Sequence, residues 1–190
     1  MELHGERVIP APVTATWAAL NDPDTLKGCI AGCESLEKTG DDAYAAVVAM
    51  KIGPVSARFR GNLRMTNVDP PNGYTIAFDG QGGVAGFGKG SADVRLAPEG
   101  AAATRLAYEA RATVGGKMAQ IGSRLIDATA AKITDDFFKA FEATLQARHA
   151  PVGVAATPPP AAPQAPRPAG ALGWGLAAAV VAATLYFILR

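Results

Sequence analysis

The sequence predicts an α+β fold: a seven-strand antiparallel sheet wrapped around one long C-terminal helix, with a linker and an apolar tail beyond it. Two observations carry the core of that expectation. In VSARFRGNLRMT, residues 55–66, Val55, Ala57, Phe59, Leu63 and Met65 share one face, and Ser56, Arg58, Arg60, Asn62 and Arg64 share the other. Period-two alternation of this kind means a sheet covered on one side and wet on the other. From Lys117 to about Arg148 the period changes. Ile121, Leu125, Ile133, Phe137, Phe141 and Leu145 recur at multiples of four, with Met118, Ile126 and Phe138 filling the stripe. That is an amphipathic helix, and its stripe and the apolar sheet face can bury each other.

Taken in order, residues 2–9 read as a strand and Pro12 to Leu20 as a short helix with Trp17 on its apolar side. Asp22, Pro23 and Asp24 end that helix, and a second short one runs from Thr25 toward Ile30. Six strands follow, near 34–39, 43–52, 55–68, 73–80, 85–97 and 103–114; the last alternates through Leu106, Tyr108, Ala110, Ala112 and Val114.

In such a meander, alternate turns fall at the same end of the sheet. One end collects GDDA (40–43), DPPNG (69–73) and APEGA (97–101), which are polar turns. The other collects KIGPV (51–55), GQGGVAGFG (80–88) and VGGK (114–117), rich in glycine and carrying Val84 and Phe87. Glycine-lined loops gathered at one end suggest a mouth. Small residues on the inner face, Gly88, Gly90, Ala92, Ala110 and Ala112, allow two readings. They leave a cavity beneath the long helix, or they let the helix pack close to a bent sheet.

Several function classes are excluded or weakened. Eighteen basic and seventeen acidic residues nearly cancel, so the basic excess of a nucleic-acid binder is missing. Gly83, Gly88 and Lys89 reproduce the spacing of a phosphate-binding loop, but Gly90 stands where serine or threonine belongs. The residues after it, GSADVRLAPEG, read as strand, whereas phosphate is held at a helix N-terminus. Cys29 and Cys33 have three residues between them, not the two of a redox or zinc pair. On one helix they share a face and read as buried thiols, with a ligand-facing or redox role as the alternative. With two histidines, His4 and His149, a histidine-rich metal site is not expected. No serine–histidine–acid set or nucleophile elbow is visible, so catalysis has little to stand on in these residues. Arg58, Arg60 and Arg64 on the outer sheet face read either as a solvated surface or as a docking surface for an acidic partner or anionic lipid.

Three segments are expected: a globular domain over 1–148, a linker over 149–170 and a membrane anchor over 171–190. HAPVGVAATPPPAAPQAPRPAG, residues 149–170, is dominated by proline and alanine and favours extended polyproline II. ALGWGLAAAVVAATLYFIL, residues 171–189, has no charged side chain, and its 19 residues as a helix span about 28 Å, near a bilayer's hydrocarbon thickness. Trp174 and Tyr186 lie near its ends, as interfacial aromatics do. A buried core helix is the other reading of this run. MELHGERVIPAPV has no apolar signal region, so the main domain is expected in the cytoplasm, held at the cell membrane by a single C-terminal span.

VIPAPVTATWAALNDPDTL, CIAGCESLE, KIGPVSARFRG and GGKMAQIGSRLIDATA, followed by DDFFKAF, resemble the carbon monoxide dehydrogenase G-subunit family, a branch of the START-like (SRPBCC) helix-grip superfamily. The resemblance covers residues 1 to about 146, and the GGK-AQ-GSRLI stretch is its most specific part. The family usually has proline where Ala31 stands here, so the turn after Cys29 is less rigidly specified.

The resemblance implies an accessory protein, not an enzyme, that brings a cytoplasmic molybdenum-containing carbon monoxide dehydrogenase or related hydroxylase to the membrane, and a clasped cavity for an apolar ligand. A respiratory quinone or another lipid is the expected guest, the membrane lipid and quinone pool its source, and no covalent cofactor or nucleic acid is expected. Val84, Phe87, Met118, Ile121 and Leu125 are the expected apolar walls, with Tyr108 and Gln120 bonding a carbonyl such as a quinone's. Two other readings stand beside this one: a docking anchor without ligand, using Arg58, Arg60 and Arg64, and a helix-grip enzyme.

Overall fold

A computed structural model describes residues 1–149. The expected linker, apart from His149, which ends the last helix, and the expected membrane anchor lie outside the described residues. Among those described, no helix is long and apolar enough to cross a membrane.

The chain opens with β1 (Glu2–Ile9), then two short helices, α1 (Val13–Leu20) and α2 (Pro23–Cys29). Six strands follow: β2 (Cys33–Gly40), β3 (Ala43–Ile52), β4 (Val55–Asp69), β5 (Gly73–Gln81), β6 (Phe87–Pro98) and β7 (Thr104–Gly115). The long helix α3 (Ser123–His149) closes the domain. All seven strands form one antiparallel sheet in the order β1-β7-β6-β5-β4-β3-β2. β1 therefore lies beside the last strand, and α1 and α2 carry the chain from one sheet edge to the other.

The helix boundaries have local causes. Asp22 caps α2: its Oδ2 accepts from the Thr25 backbone N–H at 3.2 Å and from the Thr25 hydroxyl. Pro23 fills the first helical position, where no N–H is needed. The Asp-Pro pair that ends the first helix thus starts the second.

The expected helix start at Lys117 is displaced. Residues Ala119–Ile121 form a 3-10 turn, Gly122 adopts φ +98°, and α3 begins at Ser123. A positive φ breaks helical geometry and is natural only for glycine, so Met118 and Ile121 belong to the connection before the helix. The stripe continues from there but is unevenly covered. Phe138, Phe141 and Leu145 are buried with Ile9, Leu96 and Leu106, whereas Leu125 and Ile133 remain partly exposed. The main core thus packs under the second half of α3, toward the polar-turn end of the sheet. Arg7, on the inner face of β1, reaches this helix through an ion pair with Asp135, and its guanidinium lies 5.6 Å from the Phe138 ring centre.

Candidate ligand-binding cavity

A cavity of about 330 Å³ lies on the inner face of β3, β4, β5 and β6. Its origin is a row of residues without side-chain bulk. Ala46 on β3 faces Gly61 on β4, Gly61 faces Gly80 on β5, and Gly80 faces Gly88 on β6. All four line the cavity. Because strand partners in register point to the same face, four small residues in one transverse row leave a trough across the sheet.

Larger side chains enclose that trough. Leu36, Tyr44, Met65 and Tyr74 form a buried cluster at its inner end, and Tyr44, Met65 and Tyr74 lie on its wall. Leu20 from α1, Leu26 from α2 and Ile30 just after it cover the trough from above. Met50, Phe59 and Met118 close in from the glycine-rich end, and Phe78, level with Leu63, from the other side of the row. Burial pushes the Tyr74 phenol above its usual range, with the neighbouring Tyr44 adding to the effect, and the Tyr74 ring meets Trp17 edge-on at 5.5 Å. The lining is almost wholly apolar, and its volume is at the small end of the range for small-molecule sites, about 300–1,000 Å³. Such a space has room for a ring-sized apolar group.

The loops at the glycine-rich end are tied together by close backbone approach. Gly86 has φ +116° and Gly116 φ +76°; a Cβ on Gly116 would lie 2.5 Å from the Gly86 Cα, and one on Gly86 would lie 2.0 Å from the Gly115 carbonyl oxygen. The Met118 N–H donates to the Ala85 carbonyl oxygen at 3.0 Å. Met118 is thereby held with its side chain buried at the cavity.

Comparison with known proteins places this architecture. The sequence profile of the carbon monoxide dehydrogenase G-subunit (CoxG) family matches residues 5–146. The chain belongs to the CoxG family. A conserved protein from Geobacillus kaustophilus of known structure is 33% identical, covers 77% of this chain and 96% of its own, and superposes with a TM-score of 0.73. A START superfamily protein from Mycobacterium smegmatis is 13% identical over 77% of this chain and 98% of its own, with a TM-score of 0.61. The Zhui aromatase/cyclase from a Streptomyces species is 13% identical over 78% and 94%, with a TM-score of 0.60. These two likenesses show the fold, which is START-like. No curated protein matches the chain.

In this CoxG domain the seven residues expected to bind ligand are scattered, and Met118 alone of them is on the cavity wall. Tyr108 stacks on Phe138 with ring centres 5.3 Å apart and covers Gly5, where a Cβ would lie 2.6 Å from its hydroxyl oxygen. It belongs to the core between β1, β7 and α3. Phe87 lies over Gly115, and Val84, at the tip of the β5–β6 loop, is 85% exposed. Gln120 is exposed, while Ile121 and Leu125 pack toward Gly53 in the β3–β4 turn.

Of the small inner residues expected to leave a cavity or admit the helix, Gly88 alone lines the cavity. At Gly90 a Cβ would meet the Phe78 ring at 2.9 Å and the Arg111 carbonyl oxygen at 2.1 Å. Those contacts lie within the sheet, Ala92, Ala110 and Ala112 are half-buried and off the cavity wall, and the cavity lies over β3–β6, with no residue of α3 in its lining. Sequence reasoning missed Ala46, Gly61, Gly80, Tyr44 and Tyr74 as wall residues. Their signal was cross-strand register: each occupies an inward position, and the turns place four of them in line with one another or with Leu63.

The remaining candidates are also placed. Arg58, Arg60 and Arg64 lie exposed on the outer face of β4; Arg58 pairs with Glu34 at 2.7 Å, and among the described residues Arg60 and Arg64 have no ion-pair partner. Cys29 and Cys33 do not share a helix. α2 ends at Cys29, Ile30 is extended, and Cys33 opens β2. Both thiols are free, Cys29 buried and Cys33 half-buried, and burial pushes both above the usual thiol range. Among the described residues no cluster of histidine, cysteine and acidic side chains is arranged to hold a metal ion.

Proposed function

We propose that this domain is a non-enzymatic accessory protein that holds the head of a respiratory quinone, or of another lipid, in the cavity over β3–β6. The observation that carries this reading is the row Ala46–Gly61–Gly80–Gly88, which makes an apolar space where four inward side chains would otherwise fill it. Membership of a family named for carbon monoxide dehydrogenase supports the second half of the reading: the domain serves a cytoplasmic molybdenum-containing enzyme of that kind, coupling it to the membrane respiratory chain. Residues 149–170 then act as a tether and 171–190 as the membrane anchor.

The chemistry asked of the protein is binding. Leu26, Ile30, Phe59 and Met118 exclude water from the guest's apolar surface, at about 25 cal/mol per Å² removed from water. Tyr44 and Tyr74 are the wall residues with a hydroxyl for a quinone carbonyl.

Native mass spectrometry with lipid extraction on residues 1–149, purified without detergent, tests the reading. A stoichiometric quinone or lipid adduct, absent from Ala46→Phe, is the expected result. A clean apo mass that stays unchanged in excess quinone would overturn it and leave the docking-anchor reading on Arg58, Arg60 and Arg64.

A further inference from the structure

The two ends of the sheet differ in charge as well as in glycine content. The loops at the cavity end, 51–55, 80–88 and 114–125, carry Lys51, Lys117 and Arg124 and no carboxylate. The turns at the opposite end, 40–43, 69–73 and 97–101, carry Asp41, Asp42, Asp69 and Glu99 and no cation. The three cations are exposed. At the same end stand exposed apolar side chains: Val84 at 85%, Leu125 at 41% and Phe87 at 39%. Exposed apolar side chains count as a surface feature only where they gather, and these three stand on loops of the same end as the cations.

These loops also frame the cavity. Ala85 accepts from Met118, Gly116 abuts Gly86, and Leu125 sits against Gly53. Met118 and Phe59, which a Cβ on Gly82 would strike at 2.4 Å, are cavity walls. One end of the molecule therefore combines exposed apolar side chains with three exposed cations on loops that carry no carboxylate, the nearest acids being Asp79 on β5 and Asp127 on α3.

We propose that this end is a docking surface for an anionic lipid bilayer. Val84, Phe87 and Leu125 enter the headgroup boundary, Lys51, Lys117 and Arg124 meet lipid phosphates, and the acidic end faces away. Charge complementarity selects this occupant: a bilayer with negative headgroups attracts one end of the domain and repels the other. Arg58, Arg60 and Arg64, on the outer face of β4, are then not the lipid contacts. The proposal deepens the ligand reading but does not depend on it.

The domain can be tested alone. The Geobacillus relative is matched over 96% of its own chain by 77% of this one, and both apolar cores close within residues 1–149. Flotation is measured with vesicles of phosphatidylglycerol and phosphatidylcholine against phosphatidylcholine alone. The expected result is binding to the anionic vesicles, weakened by salt. Lys51→Gln, Lys117→Gln and Arg124→Gln combined should lower partition about a hundredfold, at about fivefold per cation. All three positions are exposed, and circular dichroism verifies folding. Val84→Trp should shift its emission to the blue on anionic vesicles, while Ala101→Trp, in an acidic-end turn, should not.

Absence of flotation, equal flotation of the triple variant, or a shift at Ala101→Trp instead would overturn the proposal. So would a concentration-dependent dimer abolished by Val84→Asp, which assigns the patch to a second copy, or loss of dehydrogenase capture with vesicle partition unchanged, which assigns it to a protein. Quinone load in the same samples is a separate readout. Docking with an empty cavity sinks the ligand reading alone, and load without docking sinks this one alone.

Discussion

Gly80 and Gly88 face each other across β5 and β6, and a Cβ added to either would meet nothing nearer than 3.9 Å. Neither has a positive φ. The fold therefore does not require glycine at either position. Glycine in a strand costs stability through chain entropy and gives nothing to pack. What the pair provides is room, since both line the cavity.

Gly80→Ala and Gly88→Ala should therefore leave the domain as stable or raise stability by about 0.4–1 kcal/mol, because the unfolded chain loses freedom and the folded one suffers no clash. Gly88→Leu should remain folded and lose its apolar guest. Urea denaturation and extracted lipid content check the two halves. A variant that is destabilised by alanine would show that these glycines serve the backbone and not the cavity.

Gly86 and Gly116 are the opposite case. Both are at positive φ and each occupies the space a side chain on the other would need. Gly86→Ala should cost on the order of 1–3 kcal/mol and should loosen the Ala85–Met118 hydrogen bond that seats a cavity wall. Hydrogen exchange at the Met118 amide, faster in the variant than at core strand amides, is the expected signature.

This contrast shows how far the sequence was legible. Alternation in β4 and β7 and the four-residue recurrence of Phe137, Phe141 and Leu145 are direct imprints of the sheet face and helix face that cover each other, so the fold could be read from them. Which end held the glycine loops was equally legible, because turn parity in a meander is topological. The wall of the cavity was harder. Ala46, Gly61, Gly80 and Gly88 are separated by 15, 19 and 8 positions and meet only through register, and a one-residue slip reverses every face. Tyr108 was misplaced for a related reason: it faces inward, but Gly5 beside it and Phe138 above it turn that space into core. Helix start was misread because Gly122, which interrupts the stripe, leaves the apolar spacing intact.

Asp22 links a local cap to the cavity roof, since α2 supplies Leu26 and leads into Ile30. Its carboxyl is held below the ordinary aspartate value of 3.8, first by the Thr25 hydroxyl, with the Thr25 and Asp24 backbone amides and Arg148 adding to this against the opposing effect of burial. Asp22→Ala should cost about 1 kcal/mol near neutrality. A depressed folded value means that the stabilisation is present above the unfolded value and is lost as pH falls through the folded one. Wild type and variant should therefore converge in acid, while Asp22→Asn, which keeps a cap without the titrating group, should show no such convergence. Urea midpoints across the acid range separate the three; a deficit for Asp22→Ala that is constant with pH would show that the carboxylate charge is irrelevant to the cap.

At the alkaline end Tyr74 sets the expectation. Burial, then Tyr44, raises its phenol above the ordinary value of 10.0, so the folded domain favours the protonated form more strongly than the unfolded chain does. Stability from this group is whole below the unfolded value and is lost as pH climbs above it, because the unfolded chain releases a proton that the folded one retains. The Cys29 and Cys33 thiols, raised by burial from 9.0, act in the same direction and begin to do so at lower pH. The slope of stability against pH should thus steepen in two stages, and a fully retained phenol proton contributes up to about 1.4 kcal/mol per pH unit. Tyr74→Phe should remove the later stage and leave the earlier one, with Trp17 still packed edge-on against the ring. Urea midpoints from about pH 8 to about pH 11 give the test. An unchanged slope in Tyr74→Phe would mean that water reaches the phenol, and a wetted inner end would in turn be a poor seat for an apolar head.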